Sequence, residues 1–182
     1  MPCDIHEIEK IEINVGSGLC VLTGETGAGK SMILESLDLL SGRRINDYMP
    51  SFIAQQTIKQ MIASNVSIKE AKIIILGITF KENCNDIRNS KVPNIAKELK
   101  DYGCKVYIHD PLANPEEIKK EYDLKLHEWN DLPKCSSMIV AVNHKQFSDL
   151  SIKSIETKLF KKSVVIDVKS TFSKKNFNKN GY

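Results

Sequence analysis

Lys81, Asp86 and Arg88 follow closely on the apolar run Ile73-Ile74-Ile75-Leu76-Gly77. A lysine offers phosphate a compact point charge, and an arginine offers pyrophosphate or ribose oxygens a planar fork. Asp86 is placed to hold that fork. Cys84 lies between the two cations, a setting that can lower a thiol pKa. A second constellation precedes it, Gly24-Glu25-Thr26-Gly27-Ala28-Gly29-Lys30-Ser31. Its glycines let backbone N–H groups curl around phosphates, Lys30 would reach the outer phosphates, and the Ser31 hydroxyl would hold magnesium. His6, His109 and His127 have no cysteine or acidic partners at ligand spacing, and no Cys-x-x-Cys pair occurs, so no metal site is expected.

The first constellation needs a strand ending at Gly77. Four consecutive aliphatics, three of them β-branched, suit a parallel strand covered on both faces, and open α/β sheets bind ligands beyond the carboxyl ends of such strands. A helix over 91–102 follows, with Val92, Ile95, Ala96 and Leu99 as its buried stripe, Ser90 as N-cap, and Gly103 as the left-handed residue that ends it. Further strands are expected at 105–109, 124–126, 138–142 and 164–168, with helices from Asn114-Pro115-Glu116-Glu117 and over 151–159. The result is an α/β domain over residues 71–182, a doubly wound Rossmann-like parallel sheet of about five strands.

Residues 45–70 read as a linking amphipathic helix from Ser51 to Ala63, with Ala54, Ile58, Met61 and Ile62 on its apolar stripe and Asn65 near its end. Residues 1–44 read as an incomplete P-loop strand-loop-helix segment. Val164-Val165-Ile166-Asp167 resembles the strand that supplies a magnesium-binding acid to such a loop, but Val168 stands where a water-activating Glu would be needed.

The chain has 182 residues and a formal net charge of +3. That charge is uneven: residues 1–44 carry four Lys or Arg against seven Asp or Glu, and the remainder 22 against 16. The acidic first part disfavours nucleic acid, and the basic second part suits anionic small molecules. No run approaches 18 apolar residues, no basic-then-apolar leader opens the sequence, and the five cysteines suggest no disulfide framework, so a cytoplasmic protein without a membrane span is expected.

Two resemblances follow from these motifs. Asp4 to Arg44, through the Gly24–Ser31 loop and Leu39-Leu40-Ser41-Gly42-Arg43-Arg44, resembles the N-terminus of the RecN-type DNA repair ATPases, implying ATP and magnesium as an alternative ligand set. Residues 45–182 resemble the C-terminal domain of the UDP-glucose and GDP-mannose dehydrogenase family. The resemblance is carried by Ile45-Asn46-Asp47-Tyr48-Met49-Pro50, by Leu76 to Lys91, by His109-Asp110-Pro111 and by Val165-Ile166-Asp167-Val168-Lys169. Asn83-Cys84 and Asn89-Ser90-Lys91 look most like the branch acting on UDP-N-acetylhexosamines. The resemblance implies that Phe80 and Lys81 touch a UDP-sugar and that Arg88 reaches NAD. It also implies a homo-oligomer or pairing with other dehydrogenase subunits. His144 resembles a histidine of that family with a structural or binding role. The family's Gly-x-Gly-x-x-Gly unit and its catalytic cysteine belong to other segments, so Cys84 is not expected to be the nucleophile and little turnover is expected of this chain alone.

Overall fold

Strand β1, Lys72–Leu76, shows why an unbroken aliphatic run was needed. Its side chains alternate between two cores: Ile73 and Ile75 enter one, Ile74 and Leu76 the other. The same division runs through every strand of the sheet, so that Ile108, Ile139 and Val164 share the first core while Met138, Val140 and Val165 share the second. The computed structural model describes residues 47–169. The segment assigned to the P-loop, with Gly24, Gly27, Gly29, Lys30 and Ser31, lies outside them.

Helix α1 covers residues 47–63. After β1 come α2 (Val92–Asp101), β2 (Lys105–His109), α3 (Pro115–Tyr122), β3 (Cys135–Val140), α4 (Lys145–Ser148), α5 (Ile152–Thr157) and β4 (Leu159–Asp167). The described strands form one parallel sheet in the order β2-β1-β3-β4. Residues of α1, α2 and α3 line the first core, and residues of α4 and α5 the second, as a doubly wound sheet requires.

The expectations need four adjustments. Leu124–Leu126 is not a strand; a single bridge joins Leu126 to Ile108, leaving four described strands rather than five. Ile62 is 60% exposed, and the buried stripe of α1 instead runs through Ile53, Ala54, Thr57, Ile58 and Met61. Thr57 is accommodated there because its hydroxyl donates to Ile53 O, 2.8 Å away. Lys91 rather than Ser90 is the N-cap of α2, although the Ser90 hydroxyl does accept from Val92 N–H at 3.2 Å. Strand β4 starts at Leu159, earlier than expected, because it takes up an irregularity: Cys135 pairs with Leu159 and Ser137 with Val164, so chain is looped out around Lys162 at φ 65°. Ser163 closes that detour by donating to Cys135 O and Phe160 O.

The helix ends agree with their chemistry. Gly103 adopts φ 83° after α2, and Asn114 caps α3 by accepting from Glu116 N–H and Glu117 N–H. Gly77, at φ 85°, ends β1 against the segment that leaves β3. A Cβ there would meet Val142 Cβ at 2.6 Å and Val142 O at 2.7 Å, so the position takes glycine alone.

Candidate functional site

From β1 the chain proceeds to β2 on one side and, by way of α3, to β3 on the other. The carboxyl ends of β1 and β3 therefore flank the point where the winding reverses, the usual ligand crevice of an open α/β sheet. The loop of residues 77–91 leaves β1 there, and residues 141–144 leave β3.

The crevice floor is protein, filled by a buried polar cluster. Asp110, just past β2, accepts on Oδ2 from Ile78 N–H at 2.7 Å and from Thr79 N–H at 3.3 Å. Its Oδ1 accepts from Leu112 N–H at 2.8 Å and Ala113 N–H at 3.0 Å. His144 Nε2 lies 3.0 Å from Asp110 Oδ2, and both side chains are wholly buried. Burial pushes the Asp110 carboxyl up, but the His144 hydrogen bond and the Ile78 and Leu112 N–H groups outweigh it and hold it below the usual carboxylate range. One carboxylate thereby ties together the ends of two strands and the segment after a third.

The loop itself is held at several points. Phe80 N–H donates to Asp86 O at 2.7 Å, and the Tyr122 hydroxyl donates to Ile87 O at 2.6 Å. Asn83 takes φ 55°, donates its N–H to His144 Nδ1 at 2.9 Å, and accepts on Oδ1 from Lys145 N–H at 2.8 Å. Where the loop enters α2, Lys91 Nζ reaches Asp47 Oδ1 of α1 at 2.7 Å.

On this frame the side chains singled out from the sequence face outward. Phe80 is 49% exposed, and Lys81 Nζ stands 5.3 Å from its ring centroid, a cation–π contact. Arg88 donates from Nε and Nη2 to both carboxylate oxygens of Asp86, at 3.0 and 2.9 Å, while its side chain remains 83% exposed. Its Nη1 has no partner among the described residues, so the outer edge of the fork can serve an oxygen ligand. The Arg88 side chain and its backbone N–H hold the Asp86 carboxyl down to about 2, and Asp86 in turn raises Arg88.

Cys84 is half-buried, its Sγ donating to Lys81 O at 3.2 Å. His109 Nδ1 lies 2.8 Å from His127 O, and its ring contacts those of Trp129 and Phe147. Among the described residues no cluster of His, Cys, Asp and Glu could hold a metal, and no helix is long and apolar enough to cross a membrane. Asp167 ends β4, with Oδ1 accepting from Lys169 N–H at 3.2 Å.

Sequence reasoning missed Asp110 and Thr79 as site-building residues. The available signal was Asp110 itself, an acid directly after an apolar strand and before Pro111, a place where a side chain caps its own turn. His144 was singled out, but not the partner of either ring nitrogen.

Comparison with known proteins agrees with this geometry. The family model described as the UDP binding domain of the UDP-glucose/GDP-mannose dehydrogenase family matches residues 74–174. A UDP-N-acetyl-D-glucosamine 6-dehydrogenase of Salmonella typhi is 39% identical over 131 residues, which cover 72% of this chain and 31% of that protein. Among solved structures, the UDP-N-acetyl-mannosamine dehydrogenase Cap5O of Staphylococcus aureus superimposes with a TM-score of 0.56 at 26% identity, over 72% of this chain and 29% of Cap5O. An NDP-N-acetyl-D-galactosaminuronic acid dehydrogenase of Methanosarcina mazei Go1 shares the fold with a TM-score of 0.69 at 17% identity, over 92% of this chain and 33% of that one. The chain thus spans about a third of the length of the relatives it matches. Its winding, its loop and these matches coincide over the same residues, and the chain belongs to the UDP-glucose/GDP-mannose dehydrogenase family through that family's UDP-binding domain.

Proposed function

We propose that this domain is the UDP-sugar-binding part of a nucleotide-sugar 6-dehydrogenase, the class of enzyme that oxidises a sugar C6 alcohol to a carboxylate in two NAD-dependent steps. The observation that carries the reading is the outward presentation of Phe80 and Lys81 from a loop anchored at the point where the sheet winding reverses. Lys81 supplies the charge a diphosphate requires, and Phe80 offers an apolar face beside it. Arg88 is assigned to NAD through the free edge of its guanidinium. Held by Asp86 through Nε and one Nη2 hydrogen, it is oriented while the two Nη1 hydrogens and the second Nη2 hydrogen stay available to the cofactor. UDP-N-acetylhexosamines are favoured over UDP-glucose as substrates, on the names of the relatives and on Asn83-Cys84 and Asn89-Ser90-Lys91. The domain boundaries proposed are 45–70 for the linking helix and 71–182 for the UDP-binding unit.

Calorimetric titration with UDP and with UDP-N-acetylglucosamine tests the binding reading. Saturable binding is expected, weakening as salt rises, and Lys81→Met should weaken it by about tenfold to a hundredfold, the worth of one charge-assisted hydrogen bond. Wild-type affinity in Lys81→Met overturns the assignment of Lys81. Little or no NADH should form when the isolated chain receives UDP-sugar and NAD, and robust turnover would overturn the view of it as a binding part. The ATPase alternative rests on the spacing of Gly24, Gly27, Gly29, Lys30 and Ser31. A thermal shift with magnesium-ATP and none with UDP-sugars would favour it.

A further inference from the structure

We propose that His144 is the positioning residue of the Phe80–Lys81 segment, one ring nitrogen holding the far end of that segment and the other holding the carboxylate that anchors its beginning. The proposal rests on the reading of this segment as the UDP-sugar contact.

The ring's two nitrogens have different partners. Nδ1 lies 2.9 Å from Asn83 N–H, which can only donate, so Nδ1 must accept and carries no proton. The neutral imidazole then carries its hydrogen on Nε2, and this N–H points at Asp110 Oδ2 at 3.0 Å with Thr79 Oγ1 alongside at 3.1 Å. Thr79 spends its own hydroxyl proton on Lys81 O, 3.0 Å away. Two of the ring's partners, Thr79 and Asn83, thus bracket the two exposed side chains assigned to substrate. A histidine that merely filled space would need a partner for each nitrogen but no such bracket. Here the imidazole follows β3 while its partners follow β1 and β2, so it sets the height and tilt of the segment relative to the whole sheet. Asn83 reinforces the arrangement by accepting Lys145 N–H at the start of α4.

Two amide isosteres separate the halves of the ring. His144→Asn keeps an acceptor where Nδ1 stood, and His144→Gln keeps a donor where Nε2 stood. The loop-facing half is the acceptor, so His144→Asn should bind UDP at least about fivefold more tightly than His144→Gln, the difference that one hydrogen bond makes. In His144→Gln, hydrogen exchange at the Asn83 and Lys145 amides should accelerate while the β1 and β3 amides stay protected. Nitrogen-15 spectra of the wild-type imidazole should show the Nε2-protonated tautomer. The opposite tautomer overturns the proposal, and so do equal affinities in the two variants. Should His144→Gln not fold, Thr79→Val keeps the shape and deletes the hydroxyl tie to Lys81, and wild-type affinity there also overturns it. A wild-type chain that ignores UDP refutes the substrate reading instead, while tautomer and amide exchange still decide whether His144 holds the loop.

Discussion

Replacing Asp110 with asparagine tests the cluster beneath the site most directly. The carboxylate accepts from Leu112 and Ala113 on one oxygen and from Ile78, Thr79 and His144 on the other. An amide keeps a single oxygen. If that oxygen serves the turn at Leu112 and Ala113, the new NH2 group faces the Ile78 N–H and the His144 Nε2–H, donor against donor. Three hydrogen bonds to a buried charge, from Ile78, Thr79 and His144, are lost with nothing replacing them, a cost of about 3–5 kcal/mol. The loss should depend on pH in a definite sense. The folded carboxyl is held below its ordinary value, while the unfolded one titrates near about 3.9. Its contribution is therefore complete above that value and disappears as pH falls through the folded one. Urea unfolding of both proteins should show the full gap at pH about 7 and a narrowing gap below pH about 4. A gap under about 1 kcal/mol at neutral pH, or one that stays constant into acid, would refute the account of Asp110 as the charged tie.

Gly77→Ala should destabilise by about 2–5 kcal/mol, combining left-handed strain with the approach to Val142, as read from denaturation midpoints. Ser137 has a buried hydroxyl with no partner among the described residues, so Ser137→Ala should leave stability unchanged or raise it by up to about 1 kcal/mol in the same assay. On α1, Met61→Ala should cost about 2–5 kcal/mol and Ile62→Lys less than about 0.5, although the two positions are adjacent. Equal losses at both would mean that the buried stripe of α1 has been assigned to the wrong face.

Wherever local chemistry decides the outcome, the sequence was a good guide. The β1 run, the Gly103 terminus and the Asn114 cap each follow from a residue type acting on its own backbone. The stripe of α1 was misread at its end because periodicity weighs Ile62 above Thr57, whereas a threonine that bonds its own helix backbone can be buried without penalty. The strand expected at 124–126 failed because a β-like triplet still needs a neighbour in register, and only Leu126 has one. At the site, Phe80, Lys81 and Arg88 were legible from their loop. Their support was not: the Asp110 and His144 contact spans 34 positions and exists only once the winding has brought three strand ends together.

The looped-out stretch of β4 bears on how the domain tolerates change. One residue lies between the paired positions Cys135 and Ser137 on β3, and four lie between Leu159 and Val164 opposite them, yet the pairing from Ser137 to Val140 runs without further shift. Errors of length entering from α5 are thus absorbed before they reach Asp167. Phe160, Lys161 and Lys162 are exposed there, near the amino end of the strand, while the site sits at the carboxyl ends. A short inserted peptide or a fluorophore at Lys161 could report on the domain without altering the geometry it reports on, and a family member could lengthen this segment by several residues and still present the same crevice.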